Sequence, residues 1–171
     1  MNNRVFVVCE TKTLGRAYEL LQKISADDVE LTEVIPMSEG AALLLLGSDQ
    51  ILQAFTESSD STVRNLQIIK NFSDTLLEAY LGIKNPPVSG SLMIFESSVM
   101  GDVFEAARRL DQAGAEVFDL RILRGGAPKA YLFATGQAGE GFAVEGLVGT
   151  FTQIESPQDL VKSYFEIAPQ K

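Results

Sequence analysis

Val5-Phe6-Val7-Val8-Cys9-Glu10 and Leu92-Met93-Ile94-Phe95-Glu96 decide how this chain is read. Both are short apolar runs of strand character, and both end in glutamate. Laying Glu10 on Glu96 sets an offset of 86, and that offset also lays Gly15 on Gly101, Tyr18 on Phe104, Glu19 on Glu105 and Ile24 on Leu110. Gly47 then falls on Gly136 at offset 89, and Tyr80 and Ile83 fall on Tyr164 and Ile167 at offset 84. Drift of a few residues is what loop insertions and deletions produce. The self-similarity points to a duplicated unit. Pro86-Pro87 and the nearby Gly82 and Gly90 interrupt regular structure between the halves, so the reading expects one repeat at 1–85 and a second at 86–171.

Outward from the first run, the pattern is strand, helix, hairpin, strand, helix. Leu14, Ala17, Tyr18, Leu21 and Ile24 recur at helical spacing and line one face, so a helix over about 12–25 should cover a sheet. Thr11 and Thr13 are candidate caps at its start. Val29 to Ile35 reads as a second strand, Pro36 to Gly40 as a turn, and Ala41 to Leu46 as a third strand completing a hairpin. Ser48-Asp49 can cap a short helix. A strand near Leu66–Ile69 and a helix over 74–82 close the unit. The second half repeats the order with strands at Leu92–Phe95, Val117–Leu123, Ala130–Ala134 and Val148–Ile154. Its helices carry Val99, Val103, Ala106 and Leu110, and then Ser156-Pro157-Gln158-Asp159 as a helix start. The first half's short helix is expected to be lost at 137–147, where Gly139 and Gly141 fall. The expected class is α+β: a tandem β-α-β-β-(α)-β-α unit related to the ferredoxin-like fold, with mixed sheets and helices on one face.

Composition removes several classes of chemistry. The 171 residues contain no histidine, which excludes imidazole bases, histidine-ligated metals and histidine triads. One cysteine, Cys9, allows no internal disulfide and no thiolate cluster. Net charge is -9, which disfavours nucleic acid and anionic lipid as partners. The longest apolar stretch, Ala41 to Leu46, has six residues, whereas a spanning helix needs roughly 20. The amino terminus does not read as a targeting signal, so a cytoplasmic protein is expected. No cofactor or metal site is implied.

Four features could carry function. Glu10 and Glu96 are paired acids that could perform acid/base chemistry if brought close; as ordinary residues they would serve helix amino termini. Arg124-Gly125-Gly126 with Lys129 could form an anion-holding nest, but it lacks any phosphate-loop fingerprint and reads first as a hairpin turn. Cys9, among valines, reads as a buried hydrophobe. Tyr18, Phe104, Tyr80 and Tyr164 sit at core spacing on helices, where packing accounts for them.

From Val29 to Phe55 the chain resembles the bacterial microcompartment shell domain. The resemblance is carried by Val29-Glu30-Leu31, the turn ending Ser38-Glu39-Gly40, the run Ala41–Leu46, and Ser48-Asp49 before a short helix. Cys9-Glu10-Thr11-Lys12 ahead of an amphipathic helix is similar to that family's opening, and the duplication matches its divergent tandem form. At the family's basic edge position this chain has Ser25, with Lys23 close by, and its first helix is not alanine-rich. The resemblance implies a non-enzymatic structural protein that forms a homotrimeric, pseudohexameric ring or tile, with itself, other shell proteins and small metabolites as partners. It also implies a central pore lined by Met37, Ser38, Glu39 and Gly40 of one repeat and Arg124, Gly125, Gly126 and Ala127 of the other. The same element order also permits a ferredoxin-like ligand-binding or regulatory module, for which Arg124 would be the testable residue. An enzyme relying on Glu10 and Glu96 is the third reading.

Overall fold

The computed structural model describes residues 3–56, 61–84, 88–124, 129–137 and 144–167. The apolar runs become strands and the amphipathic stripes become helices, in an order that occurs twice. The first series is β1 (Arg4–Thr11), α1 (Leu14–Leu21), β2 (Val29–Met37), β3 (Gly40–Ser48), α2 (Gln53–Thr56), β4 (Val63–Lys70) and α3 (Asp74–Leu81). The second is β5 (Ser91–Ser97), α4 (Met100–Gln112), β6 (Glu116–Ile122), β7 (Ala130–Gly136), β8 (Thr150–Ile154) and α5 (Asp159–Ile167). A 3-10 turn over Asp49–Leu52 precedes α2. The short helix expected to be missing from the second series falls largely on residues outside the described ones.

The two four-stranded sheets have the same strand order, β2-β3-β1-β4 and β6-β7-β5-β8. Their registers also agree. Glu10 faces Ala42 and Asn65, while Glu96 faces Tyr131 and Thr150 at the corresponding positions. Each sheet even has a register shift at the start of its hairpin, between Val29 and Leu31 and between Val117 and Asp119. The chain is therefore an α+β protein with one topology used twice.

Two expectations need correction. The sheets are not mixed: every pairing is antiparallel. The helical crossover does return β2 in the direction of β1, but β3 inserts between them, so no parallel neighbours result. Nor do the helices keep to one face. In the second series Val161 and Phe165 of α5 pack on Leu92, Ile94, Phe118 and Phe133. Strand alternation turns Met93 and Phe95 to the opposite face, where both are buried. α4 packs across β5, β6 and β7.

Contacts divide the chain into two compact units, 1–72 and 73–171. In the first, Val5, Val7 and Cys9 of β1 and Leu43 and Leu45 of β3 pack with Ala17 and Leu20 of α1 and Phe55 of α2. Each such buried aliphatic side chain contributes roughly 1.5–3 kcal/mol. Thr13 caps α1 by accepting from the Arg16 amide at 3.2 Å. Ser48 holds the cap position of the next turn, but its hydroxyl instead donates to Asp28 at 3.1 Å. Helix α3 ends the first series in chain order yet packs in the second unit, against β6 and α4. The compact units thus part ahead of the Pro86-Pro87 linker, which lies outside the described residues. Among the described residues, no helix is long and apolar enough to cross a membrane.

Candidate functional site

The β2–β3 connection is a two-residue turn, Ser38-Glu39, closed by the Met37–Gly40 pair. Neither Ser38 nor Glu39 has positive φ; that conformation falls on Gly40, at +95°. This is the arrangement of a tight turn followed by a glycine bulge. Glycine is required at position 40 for a second reason. A Cβ there would lie 1.9 Å from the carbonyl oxygen of Thr11, so the turn is pressed against the end of β1. The Thr11 hydroxyl is buried beside it and bonds the carbonyl oxygens of Thr13 at 2.8 Å and Ala41 at 3.3 Å.

Arg64 on β4 tethers the tip. Its Nη1 donates to the Glu39 carbonyl oxygen at 3.0 Å and approaches the Glu39 carboxylate at 3.4 Å. The turn therefore presents an acid with a guanidinium at its base, and both side chains remain exposed. Sequence reasoning missed Arg64 because it lies 25 residues from Glu39 in the chain. A strand register would have found it, since β4 pairs Val63 with Thr11, beside the turn.

In the second unit the hairpin β6–β7 is closed by Leu123, whose amide donates to the Lys129 carbonyl oxygen at 2.7 Å. The Lys129 amide in turn donates to Ser97 at 2.9 Å. Arg124 leaves this base as an exposed residue, while Gly125, Gly126 and Ala127 lie outside the described residues. Below the loop, Arg121 Nε donates to Asp119 at 2.7 Å on the strand that faces Tyr131. Burial pushes the Tyr131 hydroxyl above its ordinary range; Arg121 opposes that rise and Asp119 adds to it.

The other candidates take structural places. Cys9 is fully buried in the α1 core, and desolvation pushes its thiol up to about 11, so it is protonated at neutral pH. Glu10 is buried and Glu96 exposed, each in its own unit. Thr13 caps α1, whereas α4 has Val99 at its cap position with no side-chain cap bond and Asp102 as the acid of its first turn. Among the described residues, no group of three or more cysteines and carboxylates could hold a metal ion. Tyr80 and Phe104 meet edge to face with ring centroids 5.7 Å apart, whereas Tyr18 and Tyr164 are exposed.

A duplicated antiparallel α+β unit with a tight acidic hairpin turn is what the geometry defines. No family model matches the chain and no curated protein matches it. Among solved structures, the chain is similar to a microcompartment protein from Desulfitobacterium hafniense DCB. The TM-score is 0.72 at 20% identity, covering 94% of this chain and 98% of that one. The fold is therefore that of a microcompartment protein. Two further structures, a candidate glycine cleavage system transcriptional repressor and an unknown protein from Galdieria sulphuraria, each have a TM-score of 0.31, at 11% and 14% identity. They cover 90% and 89% of this chain and 97% and 81% of their own. Scores that low carry no argument.

Proposed function

We propose that this chain is a structural, non-enzymatic shell protein of a bacterial microcompartment, acting in the cytoplasm. Residues 1–85 and 86–171 are its two repeats, and three copies close into a pseudohexameric ring or tile. The observation that carries the reading is the likeness to a microcompartment protein along nearly the whole of both chains, with the same strand order used twice. Its partners are further copies of itself, other shell proteins, and small metabolites that pass its pore.

In this ring the β2–β3 and β6–β7 loops converge on the axis. Met37, Ser38, Glu39 and Gly40 of each chain alternate there with Arg124, Gly125, Gly126 and Ala127. Three Glu39 carboxylates and three Arg124 guanidinium groups would make a mixed ring, and such rings set charge selectivity at short range. Arg64 steadies the acidic turn from outside. The test is the mass of the purified chain by light scattering at micromolar concentration, with negative-stain images of the same sample. Three copies and six-lobed rings are expected. A monomer at every concentration overturns the reading.

A further inference from the structure

Four of the chain's exposed large apolar side chains have counterparts in the other repeat that are covered. Leu160 and Tyr164, one turn apart on α5, are 83% and 70% exposed, and Tyr18 on α1 is 56% exposed. At the repeat offsets their counterparts are Leu76 and Tyr80 on α3 and Phe104 on α4. Leu76 and Phe104 are buried, and Tyr80 packs edge to face on Phe104. Leu14, also exposed, corresponds to the fully buried Met100. In the covered set α3 seats against α4 and β6, with Tyr80 on Phe104. The exposed set lies on the helices that correspond to that pair, α5 and α1. Val161 and Phe165 already face the α5 core, so Leu160 and Tyr164 form a separate face of that helix.

From this we infer that α5 of one copy seats on α1 and β2 of a second copy, as α3 seats on α4 and β6 within the chain. The inference rests on the ring reading above and names its interface between chains. The receiving surface has a groove of about 270 Å³ between the end of α1 and the start of β2, bordered by Leu21, Ile24, Ser25, Val29, Glu30 and Thr32. A contact that joins the end of one chain to the start of the next is head to tail, the kind that closes rings.

Polar partners support the same pairing with their roles exchanged. In the occupied seat, Ser73 and Thr75 at the start of α3 donate to Asp111 at the end of α4, at 2.8 and 3.0 Å. The counterpart of Asp111 is Ser25, and the counterpart of Thr75 is Asp159, at the start of α5. Ser73 corresponds to Pro157, which has no donor, so one of the two bonds has no counterpart. In the other, hydroxyl and carboxylate have changed sides and a donor still meets an acceptor.

The exchange also supplies the test. Sedimentation or light scattering over a concentration series is run on the parent chain, on Leu160→Glu with Tyr164→Glu, on Tyr18→Glu, on Ser25→Asp, and on Ser25→Asp with Asp159→Ser. The substituted positions are exposed, so near-parent circular dichroism is expected for each variant. The glutamate variants should raise the concentration for half-dissociation at least tenfold. Ser25→Asp should weaken association by opposing two carboxylates, and adding Asp159→Ser should restore it, a pairwise rescue that general loss of folding does not produce. A parent oligomer unmoved by the glutamate variants, or a Ser25→Asp defect that Asp159→Ser does not relieve, overturns this interface alone. A parent chain that is monomeric throughout overturns the ring and the interface together.

Discussion

Gly40→Ala should destabilise the protein far more than a methyl group ordinarily does. Position 40 has φ +95°, a left-handed conformation that costs an L-residue roughly 1–2 kcal/mol. The added Cβ would also lie 1.9 Å from Thr11 O and 2.8 Å from the Lys12 carbonyl carbon. Both contacts are backbone, so no rotamer relieves them, and overpacking of that kind costs about 1–3 kcal/mol more. The total is about 2–5 kcal/mol. For a chain of this length each kcal/mol moves Tm by roughly 2–4 °C, so a fall of roughly 4–20 °C is expected. Gly15→Ala is the internal control. Nothing lies within 4 Å of its Cβ position, and alanine is the better helix former by up to about 1 kcal/mol. The assay is thermal unfolding by circular dichroism at one fixed protein concentration, because self-association would itself shift Tm. If Gly40→Ala unfolds within about 2 °C of the parent, the turn does not abut β1 and the account of the loop is wrong.

The Cys9 thiol, held up to about 11 by burial, should not react with a disulfide reagent at pH 8 until urea unfolds the chain. Because the unfolded thiol ionises near its ordinary value of 9, the unfolded state loses its proton first, and stability should fall between about pH 9 and 11. Cys9→Ala should lack that alkaline loss in urea titrations. Glu105 accepts from Arg108 at 2.6 Å and from Arg109 at 2.8 Å, bonds that hold its carboxyl below the ordinary 4.5. Its stabilisation is therefore present above the unfolded value and lost as pH falls through the lower folded one, so Glu105→Gln should flatten the acid limb of the stability curve. Arg64→Ala should cost under about 1 kcal/mol, since the pair is exposed, yet the amides of residues 38–41 should exchange hydrogen faster. Unchanged exchange there would remove Arg64 from its tethering role.

Much of the fold was legible because local pattern and burial agree. The β1 run alternates Val5, Val7 and Cys9 onto α1, and Ala17, Leu21 and Ile24 of the expected stripe answer it. Leu20, outside that stripe, is fully buried, while Leu14 and Tyr18 are exposed. Thr13 and Ser73 cap the helices that follow them, as their residue types suggest. The antiparallel character of the sheets was not legible. Periodicity fixes which residues share a face but not which strand inserts beside β1. The location of α3 was hidden for the same reason: an apolar stripe containing Leu76, Ala79 and Tyr80 says that a helix covers something, without saying what. At the candidate site, the need for Gly40 could be read from the turn, whereas Arg64 depends on the β1–β4 register. Ser48 shows a further limit, since a good cap residue was drawn away by Asp28, 20 positions earlier.

Duplication changes what such a unit can do, because two copies on one chain are free to diverge where six identical subunits are not. The hairpin tips illustrate it. One is a two-residue acidic turn locked by Gly40 and Arg64, and the other is a longer connection that leaves the Leu123–Lys129 bond through Arg124. In a ring of identical single domains, an acid at the tip would place six like charges around one axis, and their mutual repulsion would have to be screened or neutralised. In the proposed ring, alternating Glu39 with Arg124 would remove that repulsion and would still leave polar groups facing the opening. The same freedom would account for the exchange of hydroxyl and carboxylate between the observed helix seat and the inferred one. Once the seat within a chain and the seat between chains are encoded by different residues, either can be strengthened without altering the other. Under the proposed interface, closure between chains would rest on Leu160, Tyr164 and Tyr18, whose exposure in a single copy is otherwise a liability for solubility.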